Sequence, residues 1–252
     1  MSLLHAEMDD WTKTFGERLP GGFRGWRFEP GMLFASDVMW WGSRKPRRLP
    51  HEGVDFATYD DLGGGRRKVL AGADVSCALD GVVAAVFDDF IGQTVVIYHD
   101  HAVWRTHSPY HSSGETTAPA GEAPLEHWGL HLVYGHVTAH GSLVVGAPIQ
   151  RGEMVGAVAE SAGSAPAHLH LTAAWACPTF LPSEWSWKTM GRSHDRVMLT
   201  SPLRVLASEC ISVVAAATMT AAAAAPATPV NAGAVDPSSY RTIPCQGPHL
   251  KG

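Results

Sequence analysis

Between residue 51 and about residue 174 the chain is built from short apolar runs broken by turn residues. QTVVIYHD, GLHLVYGHV, SLVVGAPI, EMVGAVAES and AHLHLTAAW each read as a strand. Gly and Ser punctuate them roughly every eight to twelve residues, the rhythm of an all-β domain. VSCALDGVVAAVFDD adds two strands around Asp80-Gly81, a dipeptide suited to a tight hairpin turn. The pattern predicts a mainly β fold, a compact antiparallel β-sheet domain. Upstream, Leu3, Leu4, Trp11, Phe15 and Leu19 recur at loosely helical spacing, so residues 3–19 read as a short amphipathic helix. Pro20-Gly21-Gly22 ends it.

The remaining segments complete a three-part organisation. Residues 1–50 form an irregular and helical lead-in packed on the domain, with aromatics mixed among Gly, Pro and Arg. Residues 51–206 form the β domain, interrupted by a polar, Ser/Thr/Pro/Gly-rich insertion at 106–127 that reads as a long surface loop. A strand-like SPLRVL closes it. Residues 207–252 are rich in Ala and then in Pro and Ser, a low-complexity composition that suits a weak helix followed by disorder. No repeat of fixed period is visible.

Composition narrows the function classes. The chain has 252 residues, 45% of them hydrophobic and 17% charged, with a formal net charge of -5. That is enough apolar side chain for a sizeable core, and it excludes global disorder. A mildly acidic balance gives no reason to expect a nucleic-acid partner. The run from residue 211 to 225 is too short and too Ala-dominated for a transmembrane helix. The first residues show no basic stretch followed by an apolar one, so no export signal is read there and localisation stays open. The four cysteines form no CxxC pair, which removes a zinc ribbon or thioredoxin-type reading and leaves their redox state open. Histidine is the distinctive residue. Eight of the fourteen lie between His99 and His140, and His is the commonest transition-metal ligand and proton carrier.

In AHLHL the strand alternation puts His168 and His170 on one sheet face and Leu169 and Leu171 on the other. In HEGVD, His51 and Asp55 converge if the backbone bends, and Gly53 permits a bend. Two His and one carboxylate make a three-ligand zinc site with an open fourth position, the catalytic arrangement. His136, in LVYGH, is placed to act as a general base or as an electrophile toward a developing oxyanion.

These residues carry a family resemblance. HEGVDFA, VYGHV and GAPIQRGEMVGAVAESAGSAPAHLHL, in that order, resemble the LytM/lysostaphin-type zinc endopeptidases. The resemblance covers roughly residues 51–172, and three ordered motifs are more specific than any one of them. It implies a compact antiparallel β fold of the duplicated hybrid motif type, with a groove over the metal. It implies that His51, Asp55 and His170 bind one zinc ion per chain, and that His136 and His168 are the catalytic histidines. The activity it implies is hydrolysis of peptide bonds in bacterial peptidoglycan, with peptidoglycan peptides as partners and the cell envelope as location. Two departures stand out: the 106–127 insertion and an extra DDLGGGRRK stretch at 60–68. A zinc hydrolase with another peptide substrate, or a non-catalytic wall-binding module on the same scaffold, are the competing readings.

Other residues receive plainer expectations. His99 reads as a strand end that hydrogen-bonds locally. His107, His111, His127 and His131 read as solvated loop histidines. LGGGRRK lacks the GxxxxGK[ST] pattern of a phosphate loop and reads as a flexible basic turn. Trp40, Trp41 and Trp128 are expected in core or edge packing more than in a groove. Tyr134 is read either as a donor near the oxyanion or as packing beside the active strand.

Overall fold

The structure, a computed structural model, describes residues 11–100, 128–191 and 196–206. The insertion at 106–127, the tail from 207 and His101, His107, His111 and His127 lie outside the described residues. The architecture is mainly β, with antiparallel pairing throughout.

The organising element is a strand we label β8 (Gly129–Ala139). One of its edges pairs with β7 (Gln93–His99). Its other edge pairs with β11 (Leu169–Ala176) along Gly129–Gly135, then with β10 (Met154–Val158) along Val137–Ala139. β8 and β11 are buried along nearly their whole length, so neither shows the apolar–polar alternation of a one-sided sheet. The nine-stranded sheet continues from β7 to β6 (Gly81–Asp88) and β9 (Pro148–Ile149), and from β11 to β12 (Val197–Thr200). β2 (Val54–Phe56) pairs with the start of β11, and β5 (Asp74–Ser76) pairs with β10. β1 (Gly25–Trp26), β3 (Thr58–Asp60) and β4 (Arg66–Lys68) form a separate three-stranded sheet.

The helical spacing upstream is realised over residues 11–17. It brings Trp11 and Phe15 onto one side, as positions four apart must be. Phe15 stacks on Trp26 at 5.2 Å, and Trp26 meets Phe56 edge-on at 4.9 Å. The buried indoles are satisfied: Trp11 Nε1 donates to the Ser76 carbonyl and Trp26 Nε1 to the Thr12 carbonyl. This aromatic cluster braces Phe56, and therefore β2, from behind. Truncating a side chain such as Phe56 costs about 3–5 kcal/mol.

Five local expectations are corrected. Asp80-Gly81 is not a hairpin turn: β5 pairs with β10, while β6 pairs with β7 and β9. Gly81 lacks the positive φ of such a turn and serves close approach instead, because a Cβ there would collide with the Tyr98 carbonyl. In SLVVGAPI only Pro148–Ile149 forms a strand, because turns at Leu143 and Ala147 and a positive φ at Gly146 break the run. SPLRVL is not a strand: Pro202–Val205 is a helical turn with Pro at its start, and the closing strand is β12. GGGRRK is an ordered hairpin between β3 and β4, tied by the Asp61 carboxylate accepting from Gly65 N and Arg67 Nε. His131 is not a loop histidine but lies buried on β8 against Trp185, with ring centroids 4.7 Å apart.

His99 ends β7 and shares a 2.9 Å hydrogen bond with the Asp80 carbonyl, as expected of a local partner. Tyr134 is fully buried, and its hydroxyl accepts from Ala78 N, so it packs rather than facing the histidines. Cys77 and Cys177 are free and buried. No helix of the described residues is long and apolar enough to cross a membrane.

Candidate metal centre and active site

Strand register builds the site. Across the sheet, Asp55 on β2 stands opposite His170 on β11, and His170 stands opposite Gly135 on β8. His136 follows Gly135 on β8, so three strands deliver three of the five groups, and His168 stands immediately before β11, two residues ahead of His170. His51 arrives from the segment leading into β2. Its course is set by backbone hydrogen bonds between Ala35 N and the His51 carbonyl, and between His51 N and the Ser36 carbonyl. Gly53 sits at a bend in the chain, as expected, and reaches it without a positive φ. A Cβ there would lie 2.5 Å from Thr172 Oγ1 and 2.6 Å from His170 Nε2, and would strike the Leu171 carbonyl. The glycine in HEGVD is the space into which the His170 ring fits.

His51, Asp55 and His170 converge with their ligand atoms within 4.8 Å of one another. Asp55 Oδ1 stands 3.2 Å from His51 Nε2 and 2.7 Å from His170 Nδ1, and those two nitrogens are 3.2 Å apart. The outer atoms of the rings are anchored. His51 Nδ1 meets the Leu33 carbonyl at 3.0 Å; a carbonyl only accepts, so Nδ1 carries the proton and Nε2 presents a lone pair. His170 Nε2 lies 2.9 Å from Thr172 Oγ1, which can accept its proton when Nδ1 turns to an ion. Two imidazole nitrogens and a carboxylate oxygen, each backed by an outer partner, form a donor set suited to a metal ion. This cluster can hold a metal ion.

His168 faces the same space. Its Nδ1 donates to the Pro166 carbonyl at 2.7 Å, which leaves Nε2 unprotonated in the neutral ring. That Nε2 is buried without a hydrogen-bond partner, 3.5 Å from Asp55 Oδ1. An orphaned buried nitrogen is costly unless something occupies the space before it. Burial alone would depress the His168 pKa, but Asp55 outweighs it and the net direction is upward. Burial would likewise raise the Asp55 carboxyl, yet His168 and His51 hold it well below the usual carboxylate range. Burial pushes the His170 pKa down to about 3, against the pull of Asp55.

His136 is aimed by a strand irregularity. The β7–β8 register slips between Val95 and Gln93, and His136 adopts φ 63°, the left-handed region. Non-glycine residues there carry strain and cluster at functional sites. Asp89 holds the conformation: its Oδ2 accepts the His136 backbone N–H at 2.9 Å and its Oδ1 accepts Nδ1–H at 3.1 Å. The same carboxylate accepts from Ile91 N, Gly92 N and Thr94 Oγ1. Burial would raise the Asp89 pKa, but these donors, His136 first among them, drive it far below normal. With Nδ1–H committed to Asp89, the lone pair on His136 Nε2 turns inward. The His136 ring centroid lies 4.9 Å from that of His168 and 5.6 Å from that of His170.

Aromatic side chains frame the histidines. Trp40 and Trp41 stand 5.4 and 5.8 Å from the His168 ring, Trp187 stands 4.9 Å from His170, and Phe90 stands 4.8 Å from His136. Trp40 also donates to Asp55 Oδ2 at 2.6 Å. Trp40 and Trp41 thus belong to the site, beyond the packing role expected of them, while Trp128 is buried. All five histidine and aspartate positions singled out in the sequence are brought together. Asp89, Thr172 and Trp187 join them without having been singled out in the sequence.

No family model and no curated protein sequence matches the chain. Its structural neighbours are peptidases of the LytM and lysostaphin kind, the family its motifs resemble. LytU is 18% identical, with 61% of this chain and 76% of that one covered at a TM-score of 0.37. The catalytic domain of the antimicrobial peptidase lysostaphin from Staphylococcus simulans is 14% identical, covering 68% and 92%, at 0.36. A zinc containing peptidase from Vibrio cholerae is 18% identical, covering 60% and 37%, at 0.32.

Proposed function

We propose that the chain is a zinc-dependent endopeptidase that hydrolyses peptide bonds of bacterial peptidoglycan. In this reading His51, Asp55 and His170 hold one zinc ion per chain, and His136 and His168 are the catalytic residues. One observation carries it: two further histidines, each with Nδ1–H committed to an acceptor, stand beside the three-donor cluster, their ring centroids 4.9 Å apart and His168 Nε2 3.5 Å from Asp55 Oδ1. A structural zinc site would be closed by a fourth ligand and would have no use for such a pair. The ordered motifs HEGVD, VYGHV and AHLHL supply the substrate class.

When bound, zinc supplies Lewis acidity toward a carbonyl and a lowered pKa for water. The rest of the chemistry belongs to side chains. His136 Nε2 can take a proton from the attacking water, and Asp89 stabilises the imidazolium that results and keeps the ring in its orientation. The proton then passes to the departing amine. His168 Nε2, on the other side of the same space, can receive or return a proton to the reacting groups. Trp40, Trp41 and Trp187, each half-buried, shield part of the surrounding volume from water, which strengthens the polar interactions inside it.

The test is amine release from purified peptidoglycan by zinc-loaded protein, with a chelated sample alongside. Chelator-sensitive release, abolished together with zinc binding in His170→Ala, is expected. His136→Ala should retain zinc and lose most of the rate. Protein that holds zinc yet releases no amine overturns the peptidoglycan assignment, and wild-type turnover by His136→Ala overturns the role of His136.

A further inference from the structure

The two oxygens of Asp55 have different environments. Oδ1 faces His51, His168 and His170. Oδ2 faces away from them, toward the lead-in segment, where it accepts the Trp40 indole N–H at 2.6 Å and lies 3.8 Å from Arg47 Nη2. An indole nitrogen only donates, so this bond has one direction in every protonation state.

The segment around Trp40 is constructed to hold that donor in place. Val38 and Pro46 form an antiparallel bridge, and Met39 N donates to the Lys45 carbonyl, so residues 38–46 fold back as a turn. Gly31 lies under it: a Cβ at that position would come within 2.6 Å of Trp40 N. Arg47 is fixed by donating Nε to the Val38 carbonyl and Nη2 to the Gly31 carbonyl, and its guanidinium lies 5.1 Å from the Trp41 ring centroid. The Trp40 ring meets Trp41 and His168 edge-on, at 5.2 and 5.4 Å.

We infer that Trp40 is a positioning residue that holds Asp55 as a ligand through Oδ1 alone, so that a metal ion in this site keeps a position open for substrate or water. This rests on His51, Asp55 and His170 being metal ligands, as proposed above. Rotating Oδ2 toward an ion would break the Trp40 bond and draw the carboxylate from the Arg47 cation. Without the indole N–H, that oxygen is available as a second ligand, which would fill the site from the protein side.

The test uses cobalt(II) in place of zinc, because its visible ligand-field bands weaken as coordination number rises. Wild-type protein should show the intense bands of a four-coordinate ion. Trp40→Phe, which keeps a ring but removes the N–H, should show weaker bands. Its zinc affinity, measured by chelator competition, should fall by roughly tenfold to a hundredfold, the usual effect of losing an outer partner. Metal-free Trp40→Phe should match wild type in circular dichroism, which separates lost positioning from lost fold. Wild-type band intensity together with wild-type affinity in Trp40→Phe overturns the inference. If that variant does not fold, the indole N–H resonance of Trp40 in the wild type serves instead: zinc should shift it and slow its solvent exchange, and an unshifted, freely exchanging signal overturns the inference. Failure of the wild type to bind either ion would refute the underlying metal assignment, a different outcome from normal binding in Trp40→Phe.

Discussion

The Asp89 carboxylate accepts two hydrogen bonds from one residue, His136: the backbone N–H at 2.9 Å and the ring Nδ1–H at 3.1 Å. One side chain thereby fixes both the left-handed backbone of a strand bulge and the tautomer of the imidazole that the bulge presents. Asp89→Asn replaces one acceptor oxygen by an NH2 donor, so one of the two bonds must fail. We expect kcat on peptidoglycan to fall by about 100-fold, with zinc content unchanged, because the ring loses its orienting acceptor. The folded-state pKa of Asp89 is depressed, so its contribution to stability is fully present above the unfolded value of about 3.9 and drains away as pH falls below it. Acid unfolding of the metal-free variant should therefore be shallower below about pH 4 than that of wild type. Unchanged turnover in Asp89→Asn would remove Asp89 from the mechanism.

Asp89 also shows where sequence reading stops. His51, Asp55, His136, His168 and His170 are legible because each sits in a short motif with fixed spacing, and strand alternation alone puts His168 and His170 on one face. Asp89 has a local signature: a turn in which its side chain caps Ile91 N and Gly92 N. Nothing local links it to His136, 47 residues further on. Trp40 is legible as an aromatic but not as the partner of Asp55, for a different reason. It lies in a segment with no periodic pattern, and its contact with Asp55 depends on a turn closed by Val38 and Pro46. Asp80-Gly81 has the local propensity of a turn, but β10 claims β5, so the strands on either side of the dipeptide do not pair with each other. β8 and β11 were found as strands, although burial on both faces erased their alternation.

Gly53 is predicted to tolerate no side chain. A Cβ would lie 2.6 Å from His170 Nε2 and 2.5 Å from Thr172 Oγ1, one residue before a strand already paired to its neighbour. Gly53→Ala must shift either the β2 segment or the His170 ring. We expect a loss of about 1–3 kcal/mol in the metal-free protein, typical of overpacking, together with weaker zinc binding. Denaturant unfolding and chelator competition measure the two effects separately. Wild-type values in both would show that the His170 ring sits elsewhere.

Thr172 is predicted to act on the metal without touching it. Its hydroxyl is the hydrogen-bond partner of His170 Nε2, at 2.9 Å in a fully buried position. Thr172→Val keeps the shape and deletes that partner, leaving a buried N–H unsatisfied whenever Nδ1 binds an ion. Zinc affinity should fall by about tenfold or more, while His136→Ala, which alters no ligand and no ligand partner, should leave it unchanged. Equal affinity in Thr172→Val and wild type would mean that another group holds the His170 tautomer.

Among the described residues, two buried histidines outside the site, His99 and His131, predict a second acid response, in a higher window. Burial pushes the pKa of His99 down to about 4, against the pull of the Asp80 carbonyl. Burial likewise pushes His131 down to about 4, against its bond to the Gly129 carbonyl. In the unfolded chain both titrate near 6.5. Between those values the unfolded state binds the proton and the folded state refuses it, so stability falls as pH drops from about 6.5 toward 4 and then levels for these groups. Each contributes a slope of about 1.4 kcal/mol per pH unit inside the window. His131→Phe, which keeps an aromatic ring against Tyr98 and Trp185, removes one of the two. Denaturant unfolding of chelated protein at several pH values should show a shallower decline in the variant than in wild type, and at neutral pH the variant loses only the Gly129 bond. The histidines of the metal centre contribute equally to both proteins, so the difference between the two slopes reports His131 together with its repulsion of His99. Parallel slopes would mean that His131 is protonated or hydrated in the folded state.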